Sequence, residues 1–506
     1  QLAKNLFPRK RFDTFYDKAI TKLKEWVTAI KIERNYTKQE ILRMYLNTVD
    51  FGANSYGIKS AARTYFNKEP INLSLEEAAI LVGMLKGTSF FSPLKNYDRA
   101  LDRRNTVLYQ MQKYDYITEN QYDSISKLPI KLNFRAADHN EGTATYFREY
   151  IRLELQKWCD DPANFKPDGT PYDLYRDGLK VYTTINSTLQ RYAEEAVRQH
   201  LNDLQKQFTQ HWKGKIEPWI EFPEIIQQAI KRSDRYKDLK DQGVSENDIQ
   251  KSFNTKIPMK VFSWNGAIDT TLSPLDSIKY YKFFLQSGFM SMEPQTGYVK
   301  AWVGGGDYQY FKYDHVRTGK RQVGSTFKPF VYTVAMDNGL SPCFEVPNLP
   351  VTFEEFDNWT PKNADATQGG IYTLRQGLAE SKNLITAYIM KQFGPQAVVN
   401  YAHKMGIESD VPPYPSICLG TPEISLYEMV GAFSTFANKG VWTEPIYVLR
   451  IEDKNGNILS ERFPKKVDAL SEETAYLMLY MLKGTTTLKN GTGLRLRGRK
   501  YNIPYP

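Results

Sequence analysis

The sequence predicts a multidomain chain that is mainly α over roughly its first 130 residues and α+β over its last 220 or so. Three observations carry this. At 506 residues, the chain is long enough for two to four domains. Its first quarter has apolar residues at helical spacing and helix-start signals. Its last part alternates short β-branched runs, glycine turns and apolar helices. Apolar residues make up 41% of the chain, enough for sizeable cores. The formal charge is +10, spread without one long basic block. That suits an anionic partner, such as a lipid diphosphate, an acidic membrane surface or nucleic acid, and selects none of them.

In order along the chain, "YDKAITKLKEWVTAIKIE" sets Ile20, Leu23, Trp26, Val27 and Ile30 in one stripe, expected to face a core. Glu25 falls on the opposite face beside Lys18 and Lys22. Thr37 with Glu40 and Ser74 with Glu77 have capping-box spacing. "GLKVYTTI" reads as a strand, and "NSTLQRYAEEAVRQHLNDLQKQF" as a long helix. Residues 206–280 are polar, carry no motif and read as an insertion or small subdomain. "GFMSMEPQTGYVKAWVGGG" reads as strand, turn, strand. Helices are expected over 325–338, 373–392 and 425–438, and "IYVLRIEDKNGNILSE" as a hairpin around Asn-Gly. No stretch is long and apolar enough to span a bilayer. Cys159, Cys343 and Cys418 are too few and too scattered for a disulfide framework or zinc ribbon, which leaves one bridge or three buried thiols open.

Ser-x-x-Lys occurs three times, at Ser92/Lys95, Ser124/Lys127 and Ser325/Lys328, so context must discriminate. At 325, residues three apart share a helix face, so Lys328 can reach the Ser325 hydroxyl. Pro329 is tolerated only near a helix start, which puts Ser325 in the first turn, where backbone N–H groups favour developing negative charge. A desolvated lysine can serve as base. A capping serine beside a solvated lysine is the plainer outcome of such a motif. Against it, Ser381 and Asn383 stand within an apolar run, "LRQGLAESKNLITAYIM", where polar side chains need a reason. The five histidines lie outside any nucleophile context and Gly-x-Ser-x-Gly is absent, against a Ser-His-Asp hydrolase. "VGGGDY" lacks the Gly-Lys-Ser/Thr of a phosphate loop. Nucleic-acid binding would explain only the charge and has no motif behind it.

"GKRQVGSTFKPFVY", "SKN" and "SICLGTPEISLYEMVGAFSTFANKGV" together resemble the transpeptidase domain of class A penicillin-binding proteins. "SMEPQTGYVKAWVGGGDY", "TATYFREYIRLEL" and "LYRDGLKVYTTINSTLQ" extend the likeness upstream. "QLAKNLF", "KLKEWVTAIKIE", "TKQEILRMYLNTVDFG", "YGIKSAARTYFNK" and "ALDRRNTVLYQM" resemble, in order, family 51 peptidoglycan glycosyltransferases. A lone serine β-lactamase or carboxypeptidase would leave these unexplained. The resemblance implies a mainly α, lysozyme-like glycosyltransferase domain over 1–135, a linker and connecting region with an insertion over 136–285, and an α+β, serine β-lactamase-like transpeptidase domain over 286–506.

It further implies glycan polymerisation from a lipid-linked disaccharide-peptide and cross-linking of stem peptides through an acyl-serine, with β-lactams as ligands. Ser325, Lys328, Ser381 and Asn383 match the acyl-transfer residues, and Glu25 the second glycosyltransferase carboxylate. Gln1, Lys4, Lys18, Lys22, Glu40, Tyr45, Asn47, Arg103, Arg104 and Asn105 match or border the substrate-binding motifs. From pattern alone, Glu25 reads as a surface carboxylate and Glu40 as a cap. No cofactor is implied for transpeptidation; the resemblance allows Mg or Mn in glycosyl transfer. It also implies a membrane anchor ahead of Gln1, facing outward from the bacterial cytoplasmic membrane. The first glutamate motif and the Lys-Thr/Ser-Gly motif do not occur in these 506 residues. They are expected before Gln1 and after Pro506, so these residues alone are expected to be impaired in both reactions. The second reading is a non-catalytic cell-wall binding or sensor protein on the same scaffold.

Overall fold

A computed structural model describes residues 2–5, 15–53, 55–134 and 142–497. The chain divides into two units, residues 1–141 with 172–178, and residues 142–171 with 179–506.

In the first unit, helices α1 (Phe15–Asn35), α2 (Lys38–Thr48), α3 (Ile58–Phe66), α4 (Leu75–Met84), α5 (Tyr97–Lys113) and α6 (Glu119–Ser126) follow one another. Phe51, Tyr65, Phe66, Leu81 and Met84 form its main core. Thr37 and Glu40 make the predicted capping box at the start of α2. The α1 stripe departs from expectation. Ile20, Leu23, Trp26, Val27 and Ile30 are 51–66% exposed, whereas Thr21, Glu25 and Thr28 lie on the more sheltered side. Helical period identifies a face but not which neighbour it meets, and here the apolar face is the outer one.

In the second unit, α7 (Thr145–Asp160) precedes strand β1 (Lys180–Thr183) and the long helix α8 (Ser187–Trp212). The polar stretch that follows forms short helices, among them Pro223–Arg232 and Glu246–Asn254, and an antiparallel hairpin of Ile257–Val261 with Ile268–Leu272. It has a small core of its own around Tyr236, Ile249 and Phe253. Next come the hairpin β2 (Phe289–Met292) and β3 (Val299–Val303), paired antiparallel as predicted. Gln190 of α8, fully buried, satisfies the β3 edge. Its Nε2 donates to Trp302 O at 2.8 Å, and its Oε1 accepts from Trp302 N at 2.7 Å, so neither backbone group is left unpaired.

Strand β4 (Lys320–Gln322) leads into a 3-10 turn, Gly324–Phe327, and helix α9 (Lys328–Asp337). Every residue of α9 from Lys328 to Met336 is buried, as expected of a helix apolar on all sides. It sits at the centre of the largest core, with Phe330, Ile385, Ile389, Met390 and Phe436. The single helix predicted over 373–392 is two, α10 (Leu374–Ala379) and α11 (Asn383–Phe393). They are separated by Ser381 in the left-handed region, φ +57°. Strand β5 (Glu423–Ser425) pairs antiparallel with β4 and runs into α12 (Leu426–Ala437). β6 (Val448–Glu452) and β7 (Ile458–Glu461) form the predicted Asn-Gly hairpin, and β1 pairs with the other edge of β6. Cys418 is buried and Cys343 exposed, so three buried thiols are ruled out.

Candidate active site

The entry to Ser325 is clamped from one side. The β4–β5 pairing continues through Val323 N to Pro422 O (3.1 Å) and Gly324 N to Gly420 O (2.9 Å). Gly324 has φ +56° and Gly420 φ +81°, conformations that suit glycine. The approach is so close that a Cβ on Gly420 would fall 1.8 Å from Gly324 O. Gly420→Ala is therefore expected to destabilise the fold by about 2–4 kcal/mol through positive-φ strain and the clash. The midpoint of thermal unfolding measures this, and an unchanged midpoint would show that the two turns separate freely.

Past the clamp, Ser325 is exposed in its 3-10 turn, while Lys328, at the first position of α9, is 1% exposed. Lys328 Nζ donates to Ser381 O (2.6 Å), Ser381 Oγ (3.0 Å) and Asn383 Oδ1 (2.7 Å). No hydrogen bond among the described residues joins it to Ser325 Oγ. Side chains more than 50 residues apart in sequence thus converge on one ammonium group, beside a serine that solvent can reach. Among the described residues no carboxylate pairs with Lys328. Burial pulls its amine down from the ordinary lysine range to about 8, and neighbouring Cys418 opposes this only in part. The adjacent Lys382 behaves oppositely. It is also buried, but it donates to Asp365 Oδ2 (2.8 Å) and Thr367 Oγ1 (3.0 Å), and that carboxylate holds it charged, above the usual range. Of the two lysines, Lys328 is the one that can be neutral near physiological pH.

The other Ser-x-x-Lys copies lack this setting. Ser92 is buried, and Ser124 Oγ donates to Asn120 O within α6 (2.8 Å).

In the first unit the predicted residues are only partly gathered. Lys22 Nζ donates to Glu25 Oε2 at 2.5 Å, and the Glu25 side chain is 16% exposed. Lys4 and Asn47 are exposed and Tyr45 is half-buried. Gln1 and the Lys18 side chain lie outside the described residues. Glu40 is exposed and accepts from Thr37 N (2.8 Å) and Thr37 Oγ1 (2.9 Å), bonds that hold its carboxyl below the usual range. It is a capping residue, and no other predicted site residue among the described ones hydrogen-bonds it. Arg104 needs a correction as a substrate contact. It is fully buried and donates to Leu128 O (2.7 Å) and Ser126 O (2.9 Å). Its cation satisfies carbonyls at the end of α6. Asn105 Nδ2 joins it on Ser126 O (3.2 Å). Arg103, half-buried, lays its guanidinium over the Phe91 ring at 5.7 Å.

Residues 1–112 match the transglycosylase family, 209–285 the penicillin-binding protein middle domain, and 287–504 the penicillin-binding protein transpeptidase domain. The polar stretch that carried no motif is thus a recognised module. Penicillin-binding protein 1A of Pseudomonas aeruginosa is 30% identical over 480 residues, covering 88% of this chain and 57% of the relative. That of Vibrio cholerae is 30% identical over 517 residues, covering 92% and 60%. The crystal structure of penicillin-binding protein 1A from Haemophilus influenzae is 25% identical with a TM-score of 0.61, covering 92% of this chain and 76% of that one. The chain therefore spans about 57–60% of the length of these curated relatives. A helical glycosyltransferase domain followed by a penicillin-binding transpeptidase domain defines the two-domain class. The chain belongs to the class A penicillin-binding proteins.

Proposed function

We propose that this chain is the larger part of a bifunctional peptidoglycan synthase, which polymerises glycan from a lipid-linked disaccharide-peptide and cross-links the stem peptides. The carrying observation is the buried Lys328 amine, held by Ser381 and Asn383 next to exposed Ser325. Ser325 Oγ attacks the penultimate D-Ala carbonyl of a donor stem peptide, and its proton passes to neutral Lys328. The Ser325 N–H, in the first turn before α9, favours the developing oxyanion. Ser381, hydrogen-bonded to Lys328, relays a proton to the leaving amine of the terminal D-Ala. Asn383 holds the donor peptide. An acceptor amine then attacks the acyl-serine, forming the cross-link and restoring Ser325. A β-lactam enters the same path as acylating agent and stops at the acyl-enzyme.

In the first unit, Glu25 assists glycosyl transfer while Lys22 and neighbouring cations favour the diphosphate leaving group. Lys4, Tyr45, Asn47 and Arg103 are proposed to face the lipid-linked substrate; Arg104, Asn105 and Glu40 support the helices beneath them. We place the protein at the bacterial cytoplasmic membrane with both domains outside. No helix among the described residues is long and apolar enough to cross a membrane. Among the described residues no group of three or more His, Cys, Asp or Glu is placed to hold the Mg or Mn ion that the resemblance allows in glycosyl transfer.

The test uses the full-length protein with lipid-linked disaccharide-peptide. Glu25→Gln is expected to slow glycan polymerisation by about 100-fold or more and to leave labelling by fluorescent penicillin unchanged, since the two sites lie in separate units. Polymerisation at the unsubstituted rate would return Glu25 to the role of a surface carboxylate.

A further inference from the structure

The segment 361–370 contains neither helix nor strand, yet it is bound closely to the turn that carries Ser381 and Asn383. Asn363, 6% exposed, is its hub. Asn363 Oδ1 accepts from Asn383 N (2.7 Å) and Leu384 N (3.2 Å), capping the first turn of α11. Its Nδ2 donates to Asn348 Oδ1 (2.8 Å) and Thr367 O (2.8 Å). All its polar capacity is used, with the acceptor on the site and the donors on the loop behind it. Two further tethers flank it. Asn383 Nδ2 donates to Lys362 O (2.8 Å), and Lys382 Nζ reaches Asp365 and Thr367.

The turn needs such support. Ser381 is held at φ +57°, a strained region for a residue with a Cβ. Its carbonyl and hydroxyl both accept from Lys328, as does the Asn383 amide. A small rotation of this turn would carry all three acceptors away from the amine together. We propose that Asn363 is a positioning residue for acyl transfer: through the first N–H groups of α11 it fixes the Ser381–Asn383 turn, and with it the Lys328 amine. Asn363 does not touch substrate. Its role rests on the acyl-transfer reading above.

The experiment measures the rate at which fluorescent penicillin acylates Ser325 in the full-length protein, per folded molecule, for Asn363→Ala, Asn363→Asp and Asn348→Ala. Asn363→Ala removes the cap and is expected to slow acylation about tenfold or more. Asn363→Asp keeps the acceptor and loses the donors, so it should acylate within about threefold of the unsubstituted protein, aspartate being as good a cap as asparagine. Asn348→Ala loosens only the loop behind and should do likewise. An Asn363→Ala protein that acylates at the unsubstituted rate overturns the proposal. So does a tenfold loss in Asn363→Asp, which decides the matter even if the Ala variant does not fold. If the unsubstituted protein takes no label on Ser325, the acyl-transfer reading itself fails, and this role with it.

Discussion

Ser325→Ala is expected to abolish covalent labelling of the full-length protein by penicillin. Mass spectrometry of the unsubstituted protein should find the adduct on the peptide containing Ser325. The effect is large because the hydroxyl forms the bond, and removing a nucleophile costs roughly a thousandfold or more even where the rest of a site still binds. The geometry makes the position specific. Ser325 is exposed and stands one turn from a buried amine. Ser92 is buried, and Ser124 spends its hydroxyl on its own helix. Label on either of those serines would sink the assignment.

Lys328 gives the second large effect. Lys328→Ala should slow acylation by about 10²–10⁴-fold, the usual range for loss of a general base. Lys328→Arg should be nearly as slow although it keeps a cation, because a guanidinium does not deprotonate at working pH. Acylation by the unsubstituted protein should rise with pH through about 8, as burial places the amine there and its neutral form is the base, and level off above. A profile flat from pH 6.5 to 9.5, or a Lys328→Arg variant of full activity, would show that another group takes the proton. Stability carries the same signature. Between about 8 and the ordinary lysine value of 10.5, the unfolded chain binds the proton and the folded protein does not. The contribution of this group to folding therefore rises with pH across that window and is lost as pH falls through it.

How much was legible varies with the kind of residue. Ser325 and Lys328 lie three apart, and a helix start at Pro329 sufficed to bring them onto one turn. The Asn-Gly hairpin and the Thr37–Glu40 capping box were legible for the same reason: local chemistry dictates them. The break at Ser381 was not. An apolar run with helical spacing gives no sign that one residue will adopt positive φ, or that distant Lys328 will bond Ser381 while Asn363 caps the helix after it. Asn363 had no sequence signal at all, being one polar residue in a polar loop. Gly420 stood inside a recognised stretch, but its function depends on a backbone approach that only the β4–β5 pairing creates.

The sequence by itself thus determined the order of the modules, the nucleophile with its lysine, and the local starts and turns of many elements, because each rests on contacts within a few residues. Only the tertiary structure decided the rest. It buried Lys328 with no carboxylate partner among the described residues while pairing Lys382 with Asp365, and so separated two lysines that look alike in the chain. It turned Arg104 inward as a helix cap and put the apolar stripe of α1 outside, with Glu25 on the sheltered side. The physical reason is common to all four. Desolvation and ion pairing depend on which distant segment covers a side chain, and neither spacing nor composition records that.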